Sequence, residues 1–417
     1  MKNCLVMLTK TYPFGQGEEF IEDEVPILAK AFDCVIVIAT SVAQGAGKTR
    51  AVPENVHVHC IRAAEVRHGL AASAFKLFPS RTFHGFVSPQ EKEAIKGSPK
   101  SRAFLSYFVA KSERVFELCR QILLPYHLEA FDGVTFYAYW FYDVAVAATQ
   151  LKKYCTSKSC RAVCRAHRYD LYPQCSSVGY LPLRPYLLKN LDAVYPCSQD
   201  GAACIDSTWP GFSQKIHTAY LGTHDFGLGP VPTGGTYQIV SCCHLSPVKR
   251  VKLLAQALSL LKDSGIPCKW THIGGGDELA DLKAYAAEHL SFMQVEFTGP
   301  LPNQKLMAFY RETPINLFVN TSSSEGLPVS IMEAASFGIP AMATDVGGTK
   351  ELVREGETGW LLPADCSPEM LATHLKAAIA CPAVEAQLLR KNCRTLWEET
   401  FCADKNFTAF AQAIQPL

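Results

Sequence analysis

The chain has 417 residues, 48% hydrophobic and 19% charged, which excludes a disordered chain because that much apolar surface can be buried on folding. Lys and Arg total 40 against 39 Asp and Glu, a net charge of +1, so no global basic field argues for wrapping nucleic acid. The length fits about two domains of roughly 200 residues. In chain order, Cys4–Leu8 reads as a short apolar strand. A loop follows from Thr11 to Gly17, then a helix over Glu18–Ala31 with a kink expected at Pro26. Val35–Thr40 is β-branched and bounded by polar residues, the pattern of a strand. Residues 41–104 resist ordering, apart from a short strand at Val56–Cys60 and a polar, basic stretch at Glu91–Arg102. Ala103–Leu124 and Asp143–Tyr154 read as helices; Val134–Trp140, Arg161–Ala166 and Ala193–Pro196 read as strands.

Residues 223–236 are crowded with Gly and Pro and read as an interdomain linker. Beyond them the alternation is regular. Strands are expected at Gln238–His244, Lys269–Ile273, Val295–Thr298, Ile315–Asn320, Ala341–Thr344 and Gly359–Leu362. Helical patterns lie between them: Val251, Leu254, Ala255 and Leu258 recur on one helix face, and Glu278–Leu290 and Pro328–Phe337 behave alike. Such alternation makes a parallel doubly wound sheet, with ligands beyond the carboxyl ends of its strands. The fold class is α/β, with two Rossmann-like domains facing across a cleft.

The 17 cysteines are an odd number with no C-x-x-C spacing; Cys160/Cys164 and Cys242-Cys243 come nearest. Several, including Cys4, Cys34 and Cys197, sit in apolar runs. Reduced core thiols explain them better than a disulfide framework or a metal site. No apolar stretch approaches the ~20 residues that a bilayer span needs. The segment Cys4–Thr9 is too short for a signal sequence. A cytoplasmic protein is expected, with the inner membrane face as the surface it could meet. Lys92, Lys96, Lys100, Arg102, Lys111 and Arg114 surround a Gly-Ser-Pro turn. A solvated face is the ordinary reading; contact with anionic lipid is the functional one.

The residues after each strand of the second half carry the chemistry. Ser246 is suited to cap a helix and Pro247 to begin it, which puts Lys249 in a first turn beside Arg250. A helix N-terminus with added cations suits a diphosphate. After Asn320 come Glu325, Gly326, Leu327 and Pro328, with Glu333 inside the next helix. Carboxylates bind vicinal hydroxyls, as sugars and riboses present. The duller alternatives are a dipole-complementing Glu325 and a surface Glu333, the second opposed by Ile331, Met332, Ala334 and Ala335 around it. Gly347-Gly348 before Thr349 offers another backbone cradle, whereas Gly274–Gly276 and Gly15-x-Gly17 lack a dinucleotide fingerprint.

The run SEGLPVSIMEAASFGIPAMATDVGGTKELV (324–353) strongly resembles the retaining glycosyltransferases of family 4, which have the GT-B fold. Their E-x7-E signature falls on Glu325 and Glu333. LSPVKRVKLL (245–254) resembles the family's phosphate-binding segment, and VEFTGPLPNQKLMAFY (295–310), with Gly299, the segment packed on the donor's base. WEETFCADKNF (397–407) resembles its C-terminal helices, which cross back to the first domain. The first half resembles the family more loosely, through TYPFGQGEEF, YAYW and RAHRYDLY. The resemblance implies domains at 1–222 for the acceptor and 237–395 for the nucleotide-sugar donor, with 396–417 returning to the first. It implies Glu333 at the ribose and Glu325 at the donor sugar. Gly326 and Leu327 N–H groups fall at the sugar and phosphates, and Lys249, with Arg250, at the diphosphate. His244 stands where relatives carry Arg. His167, in the RAH element, falls near the reacting carbon; Asp170 could orient it, and Gly15, Gly17 and Asp170 fall on the acceptor side. No metal or cofactor is implied, because fixed charges can replace a divalent ion. The implied partners are a nucleotide sugar and a glycan or lipid-linked acceptor for surface polysaccharide synthesis. A non-catalytic sugar-nucleotide-binding scaffold and a GT-B epimerase are the alternatives.

Overall fold

A computed structural model describes residues 2–67, 87–262, 265 and 267–416. Part of the 41–104 stretch therefore lies outside the described residues. The chain forms two compact units, one of Met1–Tyr220 with Asp404–Leu417, the other of Leu221–Ala403.

The first unit is built on a six-stranded parallel sheet. Its strands are β1 (Asn3–Thr9), β2 (Cys34–Val42), β3 (Val56–Arg62), β4 (Gly133–Ala138), β5 (Ser159–Ala166) and β6 (Ala193–Pro196), in the order β3-β2-β1-β4-β5-β6. Cys4–Leu8 and Val35–Ala39 are all fully buried. Strands covered on both faces by helices have no polar side to show, and so read as apolar runs without alternation. The long helix Pro99–Leu123 starts four residues earlier than its apolar periodicity suggests, because Ser98 caps it by accepting from the Ser101 N–H at 3.2 Å. Leu105, Phe108, Val109, Val115, Phe116 and Cys119 form its buried stripe.

The second unit repeats the plan. Strands β7 (Tyr237–Cys242), β8 (Cys268–Ile273), β9 (Gln294–Gly299), β10 (Leu317–Asn320), β11 (Ala341–Thr344) and β12 (Gly359–Leu362) are parallel, in the order β12-β11-β10-β7-β8-β9. Helix Val251–Ser259 buries the expected face of Val251, Leu254, Ala255 and Leu258. Its start is a correction. Pro247–Lys249 form a single 3-10 turn and Arg250 takes a left-handed backbone (φ 48°), so the α-helix begins at Val251 and Lys249 lies in the turn before it.

The Gly- and Pro-rich segment 223–236 belongs to the second unit. Arg390 donates to the carbonyls of Gly229 and Pro230, both at 3.2 Å, and Arg394 pairs with Asp225 at 2.6 Å. Residues 397–403 stay with the same unit: Trp397 Nε1 donates to Thr223 Oγ1 at 2.7 Å. Only Asp404–Leu417 joins the first unit, where Thr135 Oγ1 donates to the Ile414 carbonyl at 2.7 Å. All 17 cysteines are free thiols. Among the described residues no helix is long and apolar enough to cross a membrane.

Candidate functional site

In each sheet the strand order reverses once, between β1 and β4 in the first unit and between β7 and β10 in the second. The crevice outside the carboxyl ends of the strands at such a reversal is the ligand site of open α/β sheets. In the second unit the loops after β7 and β10 meet there and are stitched together. Ser323 N–H donates to the Val248 carbonyl at 2.8 Å, and Thr321 Oγ1 to the carbonyls of Lys249 and Arg250 at 3.1 and 3.0 Å. Arg250 Nε and Nη2 donate to the Thr321 and Ser322 carbonyls at 2.8 and 3.1 Å. Arg250 therefore braces the two loops, and its Nη1 makes no hydrogen bond and its charge no ion pair among the described residues.

Lys249 is the cation the stitching presents. Its Nζ lies 2.6 Å from Glu325 Oε1, with the lysine side chain a quarter exposed and the carboxylate nearly buried. Oε1 also accepts from Ser322 Oγ at 2.6 Å and Asn320 Nδ2 at 3.3 Å, while Oε2 makes no hydrogen bond among the described residues. One oxygen is saturated and holds the group in place; the other keeps its acceptor capacity. The N–H groups of Gly326 and Leu327 likewise make no hydrogen bond among the described residues. They lead into the N-terminus of helix Val329–Ser336, whose unpaired N–H groups favour negative charge.

Glu333 lies inside that helix, nearly buried, and its Oε1 accepts from Asn303 Nδ2 at 3.0 Å. It is not a surface carboxylate. The glycines nearby serve the backbone. A Cβ on Gly347 would fall 2.1 Å from the Glu325 carbonyl, so glycine there lets its loop close on residues 325–326. Gly274 and Gly276 similarly press against the carbonyls of Cys243 and Leu245. Gly299 closes β9 at φ 72° and its carbonyl accepts from Gly274 N–H at 3.0 Å. His244 is exposed in the loop after β7 and makes no hydrogen bond among the described residues. Asn303, Asn320 and Ser322 were not singled out from sequence, although each is a polar residue beside a strand exit or in the segment 295–310.

The first unit holds His167 just past β5. The imidazole stacks on Tyr139 at 4.9 Å between centroids and lies 4.7 Å from Trp140. Burial and the Arg165 charge push its pKa down to about 3, so it is neutral near pH 7. Asp170 does not orient the ring. It is fully buried, and its oxygens accept from the backbone N–H groups of His167 at 2.6 Å and Phe141 at 2.7 Å. Arg184 closes the same knot by donating to the Phe141 and Asp170 carbonyls. Asp170 thus fixes the backbone that carries His167, and its assignment to the acceptor is corrected. Gly15 and Gly17 adopt positive φ (61° and 93°) in the loop after β1. Glu18, also at positive φ, gathers that loop: it accepts from the N–H groups of Lys10, Thr11 and Tyr12 at 2.6–2.9 Å and from the Trp140 indole. Sequence reading left Glu18 inside a helix; the helix begins at Ile21.

The basic face loses Lys111, which turns inward to Asp143 at 2.8 Å. Lys92, Lys96, Lys100 and Arg102 are exposed. Among the described residues no group of three or more His, Cys, Asp or Glu side chains could hold a metal ion.

Residues 231–395 match the family model described as glycosyl transferases group 1. The chain is 24% identical, over 68% of its length and 70% of the relative's, to a putative colanic acid biosynthesis glycosyltransferase, WcaL, of Escherichia coli K12. It is 29% identical, over 33% of its length and 35% of the relative's, to the amylovoran biosynthesis glycosyltransferase AmsK of Erwinia amylovora. Among solved structures, sucrose-phosphate synthase from Thermosynechococcus elongatus superposes with a TM-score of 0.69 over 99% of this chain and 98% of that one, at 16% identity. Anabaena HepE in complex with UDP and glucose superposes at 0.63 over 98% of both, also at 16% identity. The fold is GT-B.

Proposed function

We propose that this chain, a GT-B protein whose residues 231–395 form a group 1 glycosyltransferase domain, moves a sugar from a nucleotide-sugar donor to a hydroxyl of a glycan or lipid-linked acceptor, with retention at the anomeric carbon, in the building of a surface polysaccharide. The observation that carries this reading is the half-satisfied cluster at the β7/β10 reversal. Lys249, the N–H groups of Gly326 and Leu327 and the helix N-terminus present positive charge beside a carboxylate with one open oxygen. That combination suits a sugar joined to a diphosphate. Glu325 Oε2 would accept from donor-sugar hydroxyls. Glu333, held by Asn303, would accept from the ribose. The names of the similar proteins, for colanic acid and amylovoran synthesis, favour a polysaccharide product.

In the reaction the anomeric carbon–oxygen bond to the diphosphate breaks and a bond to the acceptor oxygen forms on the same face. The departing diphosphate takes the acceptor hydroxyl's proton. Charge developing on that diphosphate is met by donors already in place, so little reorganisation is needed as the bond breaks. The same donors do the work of a divalent ion. His167, neutral and fixed by its stacking, contributes a polar contact at the sugar rather than a charge. His167→Ala is expected to lose transfer far more than stability. Transfer at the wild-type rate would remove the role.

A thermal-shift series with UDP-, GDP- and ADP-sugars tests the reading. The cognate donor at a hundredfold excess over its Kd should stabilise the protein by about 2.7 kcal/mol. If no nucleotide sugar shifts the transition, the donor site is wrongly read. Exposed His244, in place of a second fixed cation, favours the scaffold alternative. Transfer or donor hydrolysis by the isolated chain would exclude it.

A further inference from the structure

A cavity of about 150 Å³ opens in the first unit, beyond the carboxyl ends of β4, β5 and β6. Its apolar walls are Phe141 after β4, Leu171 and Leu181 after β5, and Ile205 and Trp209 in and after the helix Gln199–Thr208. An apolar space of this size accommodates a molecule the size of benzene. The short helix Pro89–Ala94 contributes Glu91, which lines the cavity and is only 3% exposed. Glu91 Oε1 accepts from the Tyr180 hydroxyl and from the Leu183 N–H at 2.8 Å. Oε2 makes no hydrogen bond among the described residues and is not sealed off from the cavity.

That open oxygen restricts what the cavity can hold. Water meets Oε2 but gains nothing from the apolar walls; a hydrocarbon covers the walls but strips Oε2 of its water. Arg184 is the charged side chain lining the cavity with Glu91, and Tyr180 and Cys204 are the other titratable ones. Arg184 spends Nη1 and Nη2 on the Phe141 and Asp170 carbonyls. An anionic ligand would meet Glu91 as a like charge, and an ammonium would meet Arg184. Burial pushes the Glu91 carboxyl up to about 7, against the Leu183 N–H and the Arg184 charge, so both of its states are populated near neutral pH. A proton taken up settles on Oε2, because Oε1 already accepts two hydrogen bonds. The open oxygen thus accepts in one state and donates in the other. A hydroxyl can do both and adds no charge.

We infer that this cavity is a ligand site for a neutral alcohol, a compact apolar body of benzene size whose hydroxyl bonds to Glu91 Oε2. The site stands on the first unit alone and is independent of the proposed transfer.

The full-length protein is titrated with benzyl alcohol, toluene, benzylamine and benzoate, which share a ring and differ in the group it carries. Saturation-transfer NMR gives a Kd for each. Benzyl alcohol is expected to bind about tenfold more tightly than the other three, the worth of one hydrogen bond to a charged group. Cys204→Phe, which fills the cavity, should abolish that binding while a melting curve shows the fold retained. Glu91→Met should bring benzyl alcohol and toluene to equal affinity; should it fail to fold, the wild-type series and Cys204→Phe still decide. The inference is overturned if no member of the series binds, or if any of the other three binds wild type as tightly as benzyl alcohol. It is equally overturned if folded Cys204→Phe binds benzyl alcohol as wild type does.

Discussion

Lys249→Met is expected to lower the rate of glycosyl transfer about 10²–10³-fold, the usual cost of removing one preorganised donor from a developing negative charge, while leaving the second unit folded. Lys249 sits in a 3-10 turn outside the core, and its single ionic partner is Glu325 Oε1. After the substitution that oxygen still accepts from Ser322 and Asn320. The carboxylate is thus not abandoned, and the loss of stability should be small. The effect should fall on kcat as well as on donor affinity, because charge on the diphosphate grows as the glycosidic bond breaks. Steady-state transfer assays with a melting curve for each variant check this. A change confined to KM would mean that Lys249 binds the ground state and the transition state alike.

The largest expected loss of stability lies at Arg165. Its Nε is 3.1 Å from Glu24 Oε2, and both side chains are fully buried. Tyr137 OH donates to Glu24 Oε1 at 2.8 Å, Arg165 Nη1 donates to the Ala219 carbonyl at 2.7 Å, and the guanidinium lies 4.0 Å from the Phe410 ring centroid. Burial alone pushes the Glu24 carboxyl upward, and Arg165 opposes it. Arg165→Met removes the counter-charge and should destabilise the first unit by about 3–5 kcal/mol, because a carboxylate is left uncompensated in the core. The double variant Arg165→Met with Glu24→Leu should regain most of that loss, since hydrophobic residues of similar volume often replace a buried pair without penalty. Denaturant unfolding of the two variants decides it. Equal losses would place the cost in packing rather than in charge.

Arg165 also marks where the sequence stopped being informative. It lies two residues before His167, in an element read for its histidine. Nothing local to it names Glu24 or Phe410, which lie 141 and 245 positions away in the chain. The parallel strands, by contrast, were readable because burial on both faces demands continuous apolar runs, and helix Val251–Ser259 because one buried face imposes a 3.6-residue period. Glu325, Gly326, Leu327 and Lys249 could be proposed from sequence because strand exits in α/β sheets carry the ligand contacts. What those residues do was another matter. Arg250 was legible only as a second cation for phosphate, and the structure shows that its guanidinium also braces two carbonyls. Asp170 looked like a partner for the His167 ring, and it holds the backbone instead.

The sequence by itself determined the two α/β sheets, their strand exits and the types of residue placed there, because periodicity and strand–helix alternation are local properties of the chain. Only the tertiary structure decided which of those polar groups are spent on the protein and which remain free for a ligand. Hydrogen-bonding capacity is consumed by partners distant in sequence, so Glu325 Oε2 stands apart from Asp170 and Lys111 only once the loops have closed on one another.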